Sequence, residues 1–372
     1  MFGNFYNHRR VLITGHSGFK GSWLSIWLSE LGAEVHGFSL ENTQPFSLYQ
    51  TIPKSVWKSE TFGDVASSEC LSECIEQSDP EVVFHLAAQS LVRQSYLDPL
   101  ETFRVNVLGT ATVLNNFRKK KTPTTIVVAT SDKCYENLGW EFGYRENDVL
   151  GGVDPYSASK AAAEIVVGSW RRAFFEPGAG FCQIATARAG NVIGGGDYSA
   201  DRLIPDCVRS QISNTPLLVR NPQSVRPWQH VLDCLSGYIW LGACLAQGKS
   251  KVISAGAFNF GPPPESHRTV AGLLKCWYES WPGTWKHQEA VSSGKEAKFL
   301  TLSIERAREL LNWSPTWTFE QAIHETAFWY RSRHVDRYPD VAGLCVDQIK
   351  RFMEESKKRN ASWSTTQTIS RE

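Results

Sequence analysis

The chain has almost no net charge and no long apolar run. Its formal charge of +1 gives no global pull toward nucleic acid or an acidic bilayer. No stretch approaches the roughly 18 apolar residues that cross a membrane. The start, Met1-Phe2-Gly3-Asn4-Phe5-Tyr6-Asn7-His8-Arg9-Arg10, has no apolar core of the secretory kind. The nine cysteines are scattered and none stands in a C-x-x-C. Cys70 and Cys74 sit at helical i, i+4 spacing, but no matching ligand cluster follows, which argues against a metal site or a disulfide framework. No segment repeats. The expectation is a cytoplasmic protein with reduced thiols and with neither nucleic acid nor membrane as partner. An apolar fraction of 42% with 21% charged residues is that of a globular protein, and 372 residues suffice for a large core and two closely joined domains.

The first half alternates strand-like and helix-like segments. Strands are read at residues 10–14, 33–38, 81–87, 124–129 and 181–187. Helices are read at 21–31, 100–119 and 155–175, the last opened by Asp154 as cap and Pro155 in the first turn. This order predicts an α/β protein, a Rossmann-type doubly wound parallel sheet with a smaller C-terminal substrate-binding domain. After about residue 190 the alternation fades and breaks such as Gly194-Gly195-Gly196 and Pro262-Pro263-Pro264 appear. Residues 1–190 and 227–260 are assigned to the nucleotide-binding domain and 191–226 and 261–356 to the substrate domain. The polar tail 357–372 is expected to be disordered.

Two motifs carry chemistry. Val11-Leu12-Ile13-Thr14 runs into Gly15-His16-Ser17-Gly18-Phe19-Lys20-Gly21, spaced G-x-x-G-x-x-G. Gly15 lets the chain turn off the strand, Gly18 lets backbone N–H groups approach a pyrophosphate, and Gly21 lets the helix pack close. The helix N-terminus then presents its partial positive charge to the phosphates. No arginine or lysine lies between residues 21 and 53 to take a 2′-phosphate, which favours NAD over NADP. Asp64 and Val65 stand where a loop can meet the adenine. About 140 residues later comes Tyr156-Ser157-Ala158-Ser159-Lys160. Tyr156 and Lys160 share one helix face. A tyrosine with pKa near 10 is a poor base at neutral pH, but an ammonium and an oxidised nicotinamide favour its phenolate. A third cluster, Thr130-Ser131-Asp132-Lys133-Cys134-Tyr135, directly follows a strand, at the sheet edge where ligands of open parallel sheets sit. There Ser131 can hydrogen-bond a reacting oxygen.

Together these motifs resemble the extended short-chain dehydrogenase/reductase family, nearly throughout the chain to about Tyr330. His85-Leu86-Ala87-Ala88-Gln89-Ser90 resembles the family's cofactor-lining H-L-A-A segment. Asn106 resembles its structural asparagine, grouped here with the cofactor residues. Asn191 and Val192 resemble its stretch flanking the substrate. Within the family, Asp132-Lys133 is similar to the cytidine-linked branch of the nucleotide-sugar 4,6-dehydratases, where thymidine-linked relatives carry Asp-Glu. His16 and Lys20 stand where relatives have small and apolar residues beside the pyrophosphate; Lys20 is expected to add charge and His16 to crowd the site. The segments Lys298-Phe299-Leu300-Thr301-Leu302 and Leu310-Leu311-Asn312-Trp313-Ser314-Pro315 add to the likeness.

The resemblance implies a lyase that uses NAD and acts on the nucleotide sugar CDP-glucose. Tyr156, with Lys160 and Ser131, would take the proton of the 4-hydroxyl as hydride leaves C4. Water would leave across C5 and C6, and the hydride would return to C6. Lys133 is the candidate C5 base, which requires lowering its pKa by about three units from roughly 10.4, with Asp132 protonating the C6 oxygen. In the other arrangement Lys133 stays charged and orients Asp132. Arg226 resembles the arginine that clamps the substrate pyrophosphate. Arg202, Gln89 and His230 are further substrate candidates. A homodimer or homotetramer is implied, paired through the helices 100–119 and 155–175, and relatives feed cell-surface polysaccharide pathways. A related dehydratase or 4-epimerase would use the same Tyr156 and Lys160, and a non-catalytic nucleotide sensor would keep only the fold.

Overall fold

The computed structural model describes residues 1–175, 182–288 and 299–365. Six strands open the central sheet: β1 (Arg10–Thr14), β2 (Glu34–Ser39), β3 (Ser59–Phe62), β4 (Val82–His85), β5 (Thr124–Ala129) and β6 (Cys182–Arg188). The strand Ala257–Asn259 adds a seventh beside β6. The order runs from this last strand through β6, β5, β4, β1 and β2 to β3, and every pairing is parallel. The chain winds outward from β1 through β2 to β3, then returns to the other side of β1 with β4. The switch in winding direction between β1 and β4 leaves a crevice at their carboxyl ends, the place where such sheets bind ligands.

The helices cover both faces. Six lie in the first half: α1 (Phe19–Glu30), α2 (Ser68–Ser78), α3 (Val92–Leu97), α4 (Pro99–Phe103), α5 (Thr110–Arg118) and α6 (Pro155–Phe174). Two more matter to the site, α7 (Leu203–Ile212) and α8 (Val231–Ala246). On one face Leu71, Ile75, Val113, Leu114, Phe117 and Val167 bury the sheet residues Leu12, Val83, Ile126 and Val128. On the other, α1 and α8 share one core with Trp277, Trp313, Trp329 and Phe352 of the C-terminal part. No apolar boundary therefore separates the C-terminal elements from the sheet. Among the described residues no helix is long and apolar enough to cross a membrane.

Three differences from the sequence reading have physical causes. The strand β3, Ser-Glu-Thr-Phe, sits at the sheet edge, where alternation is weak because one side meets solvent. The span read as one helix at 100–119 contains a π-helical turn at Arg104–Gly109 between α4 and α5; its wider bore turns Asn106 toward α6, where its Nδ2 donates to Ser159 Oγ at 2.8 Å. The strand read from residue 181 is described from Cys182; residue 181 itself lies outside the described residues. The tail expectation fails for 357–365. The final helix Val341–Lys358 and a short turn at Ser362–Ser364 continue the fold, and Trp363 is fully buried. Its ring stacks on Phe2 at 5.0 Å and on Phe352 at 5.7 Å. A single large aromatic in a polar stretch is enough to anchor it. Residues 366–372 lie outside the described residues.

Candidate active site

The glycine turn is shaped by close backbone approach. Gly15 has φ +77°, and a Cβ there would stand 2.7 Å from the Ala87 nitrogen, so β1 and β4 meet at this point with no room for a side chain. Gly15 N–H donates to the Phe38 carbonyl at 2.7 Å and Leu86 N–H to the Thr14 carbonyl at 2.9 Å. The same alanine links to Ala88, both part-buried. Helix α1 starts after Gly18 with no side-chain cap, so its first N–H groups remain available to an anion. Beside Gly18 a Cβ would meet only the Gly15 carbonyl, at 3.3 Å. The glycine cradle and uncapped helix end fit a dinucleotide pyrophosphate. Phe19 packs its ring against Gly194.

The two unusual residues of this turn face elsewhere than expected. The His16 ring is fully buried and packs on Gly37, Tyr49, Trp57 and Phe62. Its Nε2 lies 3.1 Å from Glu60 Oε1. Burial lowers its pKa, with the Glu60 contact opposing. The ring thus belongs to the packing beneath β2 and β3 and cannot crowd a pyrophosphate. Lys20 reaches across to α8, where its Nζ donates to Tyr238 Oη at 3.4 Å.

The carboxyl ends of β4, β5 and β6, together with α6, hold the reactive groups. Asp154 caps α6 by accepting from Ser157 N–H at 2.9 Å, which sets the register of Tyr156 and Lys160. Both are buried. Lys160 Nζ donates to the Ala129 carbonyl at 3.5 Å. Burial and the neighbouring Lys20 charge push its pKa down to about 8. For Tyr156, burial raises the pKa; a Ser131 hydrogen bond and the charges of Lys133 and Arg202 oppose it, and Asp132 adds to it. His85, beneath Lys160, bridges Thr14 Oγ1 at 2.7 Å and Thr110 Oγ1 at 3.1 Å. Burial and Lys160 push it down to about 3, so it is a neutral spacer.

Asp132 is 1% exposed. Its Oδ1 accepts from Ser131 Oγ at 3.0 Å and lies 3.7 Å from Lys133 Nζ, while its buried Oδ2 has no partner among the described residues. Lys133 is more open, with 37% of its side chain exposed. Arg202 comes in at the start of α7, paired with Asp197 at 2.7 Å.

Ser131, Asp132, Lys133, Tyr156, Lys160 and Arg202 are thus brought together. Other predicted site residues have different work. Asn106 is a clamp: its amide donates to Ser159 Oγ and to the Gln89 carbonyl, and its oxygen accepts from Gln89 N–H. Both of its amide N–H donors are therefore spent within the protein. The Gln89 amide donates to Thr102 Oγ1 and the Leu91 carbonyl and accepts from Leu91 N–H, so it folds its own loop rather than facing substrate. His230 is fully buried, caps α8 through Leu232 N–H at 3.2 Å and packs on Trp317 at 4.6 Å. It cannot touch substrate. Asp64 accepts from Ala66 N–H at 2.8 Å and pairs with Arg104 at 2.6 Å, beside buried Val65. Asn191 has φ +51°, a left-handed turn asparagine tolerates. Arg226 lies on a short ladder between Val225–Pro227 and His267–Thr269, its Nη1 2.9 Å from the Val225 carbonyl.

Sequence reasoning missed Tyr238 and Glu164. Tyr238 is fully buried in the apolar run of α8, and only the tertiary contact with Lys20 reveals its hydroxyl at the site. Glu164 lies one turn beyond Lys160, so the spacing of α6 was the available signal.

Known proteins resemble the chain over most of its length. The family model described as GDP-mannose 4,6 dehydratase matches residues 12–326. The chain is 42% identical over 335 residues to a CDP-glucose 4,6-dehydratase of Salmonella typhimurium, covering 88% of this chain and 92% of that one. It is 25% identical to a dTDP-glucose 4,6-dehydratase of Haemophilus influenzae, covering 86% of this chain and 97% of the other. Among solved structures, a UDP-glucose 4-epimerase of Thermus thermophilus in complex with NAD superposes with a TM-score of 0.75 at 23% identity, over 87% of this chain and 99% of that one. In keeping with the motifs of an extended short-chain dehydrogenase/reductase, this chain belongs to the GDP-mannose 4,6 dehydratase family.

Proposed function

We propose that this protein is a lyase converting CDP-glucose to CDP-4-dehydro-6-deoxyglucose with NAD retained through the cycle. The observation that carries the reading is the placement of Asp132 and Lys133, an elimination pair, beside Tyr156 and Lys160, in a chain 42% identical to a CDP-glucose 4,6-dehydratase.

Gly15, Gly18 and Gly21, the backbone N–H groups of Phe19 and Lys20 at the uncapped start of α1, and Ala87 and Ala88 would hold the dinucleotide, whose chemistry there would be to take hydride from C4 and give it back to C6. Tyr156 takes the proton of the 4-hydroxyl, assisted by the Lys160 ammonium behind it. Ser131 holds the reacting oxygen. A ketone at C4 acidifies the proton on C5. Lys133 removes that proton and Asp132 protonates the departing C6 oxygen, so one water leaves, and Lys133 gives its proton back to C5 as hydride reaches C6. A second reading is favoured by one observation: Lys133 is part-exposed and 3.7 Å from a carboxylate, a setting that suits an ammonium orienting Asp132. Lys133→Met with C5-deuterated substrate separates the two, since exchange at C5 persisting at the wild-type rate excludes Lys133 as base.

Residues 191–226 and 261–356 supply the substrate side, with Arg202 and Arg226 as pyrophosphate candidates. The exposed apolar residues Leu97, Leu100, Leu108 and Ile165 along α3 to α6 support a homo-oligomer formed through these helices. The cellular role is cytoplasmic supply of a deoxysugar for cell-surface polysaccharide.

The test is parallel incubation with NAD and CDP-, dTDP-, UDP- or GDP-glucose, following the 4-keto-6-deoxy product by its absorbance in base. Turnover with CDP-glucose in clear preference is expected. Equal turnover with dTDP-glucose overturns the cytidine assignment, and epimerised hexose without the keto product overturns the dehydratase.

A further inference from the structure

A buried polar network lies directly behind the reactive groups, and none of the steps above uses it. Its centre is Glu164, buried on α6 one turn past Lys160. One carboxylate oxygen accepts from Thr130 Oγ1. The other accepts from Thr186 Oγ1 at 2.8 Å and from Arg188 Nη2 at 2.7 Å, both on β6. Arg188 Nη1 goes on to Tyr135 Oη at 2.7 Å and to the Glu146 carbonyl at 3.1 Å. Tyr135 Oη in turn donates to Asn259 Oδ1 at 2.7 Å on the last sheet strand. Thr130 immediately precedes Ser131, so the carboxylate of α6 is tied to the chain one residue before the reacting hydroxyl.

We propose that Glu164 is a positioning residue: through Thr130 it fixes where Ser131 stands relative to Tyr156, and along α6 it places a fixed negative charge behind the Lys160 ammonium. The inference rests on the acid-base reading of Tyr156 and Lys160 above. The groups facing Lys160 are Lys20 from α1, Glu164 from its own helix, the Cys134 thiol and neutral His85. Glu164 is the one carboxylate among them, and it offsets Lys20. A purely structural ion pair with Arg188 would need no bond to Thr130.

The experiment compares Thr130→Val, which cuts the link to β5 and keeps the ion pair, with Glu164→Gln. Lys160 is titrated in the ligand-free protein by lysine-selective 15N NMR, and kcat, KM and the pH profile are measured with NAD and CDP-glucose. Thr130→Val is expected to lower kcat about 10-fold or more with KM little changed and to leave the Lys160 titration in place. Glu164→Gln is expected to move that titration down by about one pH unit and the alkaline limb of kcat with it. Should burial of an unpaired Arg188 unfold Glu164→Gln, Glu164→Gln/Arg188→Met removes both charges together and reads the same titration. An unmoved Lys160 titration, or an unchanged kcat in Thr130→Val, overturns the proposal. The NMR arm stands even if the protein turns over no nucleotide sugar, so the two readings fail separately.

Discussion

The Asp132 carboxylate occupies the space that a side chain at Gly190 would need: a Cβ there would collide with both carboxylate oxygens. The acid in the segment after β5 therefore sits where the segment after β6 has no side chain. Gly190→Ala must displace Asp132, because the obstructing atoms are on a buried, short side chain. A kcat loss of about 100-fold is expected, with secondary structure by circular dichroism unchanged. Wild-type turnover in a folded Gly190→Ala protein would remove Asp132 from the mechanism.

Tyr156→Phe keeps the ring and removes only the proton acceptor. Turnover of CDP-glucose is expected to fall by about 10²- to 10⁴-fold, with the melting temperature close to wild type. Because the buried hydroxyl is raised by desolvation, the fold gains nothing from its ionisation. Retained activity would exclude this phenol as the base.

Asp233 sits at the first turn of α8 and accepts from the backbone N–H groups of Thr316 and Trp317 at 2.5 and 3.4 Å. Burial pushes its pKa up to about 7 despite these bonds. The folded state then holds a proton the unfolded chain has released. Stability from this group is full below about pH 4 and is lost as pH rises toward 7. Asp233→Asn removes that slope. Melting temperatures measured from pH 4 to 7 are expected to move in favour of the variant as pH rises; a constant difference would contradict the shift.

His230 acts in the opposite sense. It is buried and neutral, pushed down to about 3 by burial alone. The unfolded chain takes up its proton first, so stability falls as pH drops from about 6.5 toward 3. His230→Asn, which can still cap α8, is expected to flatten the acid limb of thermal unfolding. It should leave KM for CDP-glucose unchanged, as the ring does not reach the site.

Trp363→Ala opens a cavity between Phe2 and Phe352, at an expected cost of about 3–5 kcal/mol in denaturant unfolding. Truncation after Asn360 should cost as much. A truncated chain of wild-type stability would show that the C-terminal turn contributes nothing.

The sequence alone determined the parallel sheet, the glycine turn and the spacing of Tyr156 and Lys160, because each rests on local rules: apolar runs of strand length, glycines where backbone must approach backbone, and two side chains one helical turn apart. Side-chain direction was decided elsewhere. His16 and Lys20 are four residues apart in one turn, yet one is buried under β2 and the other crosses to Tyr238 on α8. His230 and Gln89 carry polar groups suited to a ligand, but a helix end and a loop claim their hydrogen bonds. Glu164, Arg188 and Tyr135 converge from three separate elements, and Trp363 finds Phe2 at the opposite end of the chain. Such contacts depend on which faces the packed layers bring together, and the energy that selects them is shared among residues far apart in the chain. Local pattern therefore located the chemistry, and tertiary packing chose which of the candidate groups could reach it.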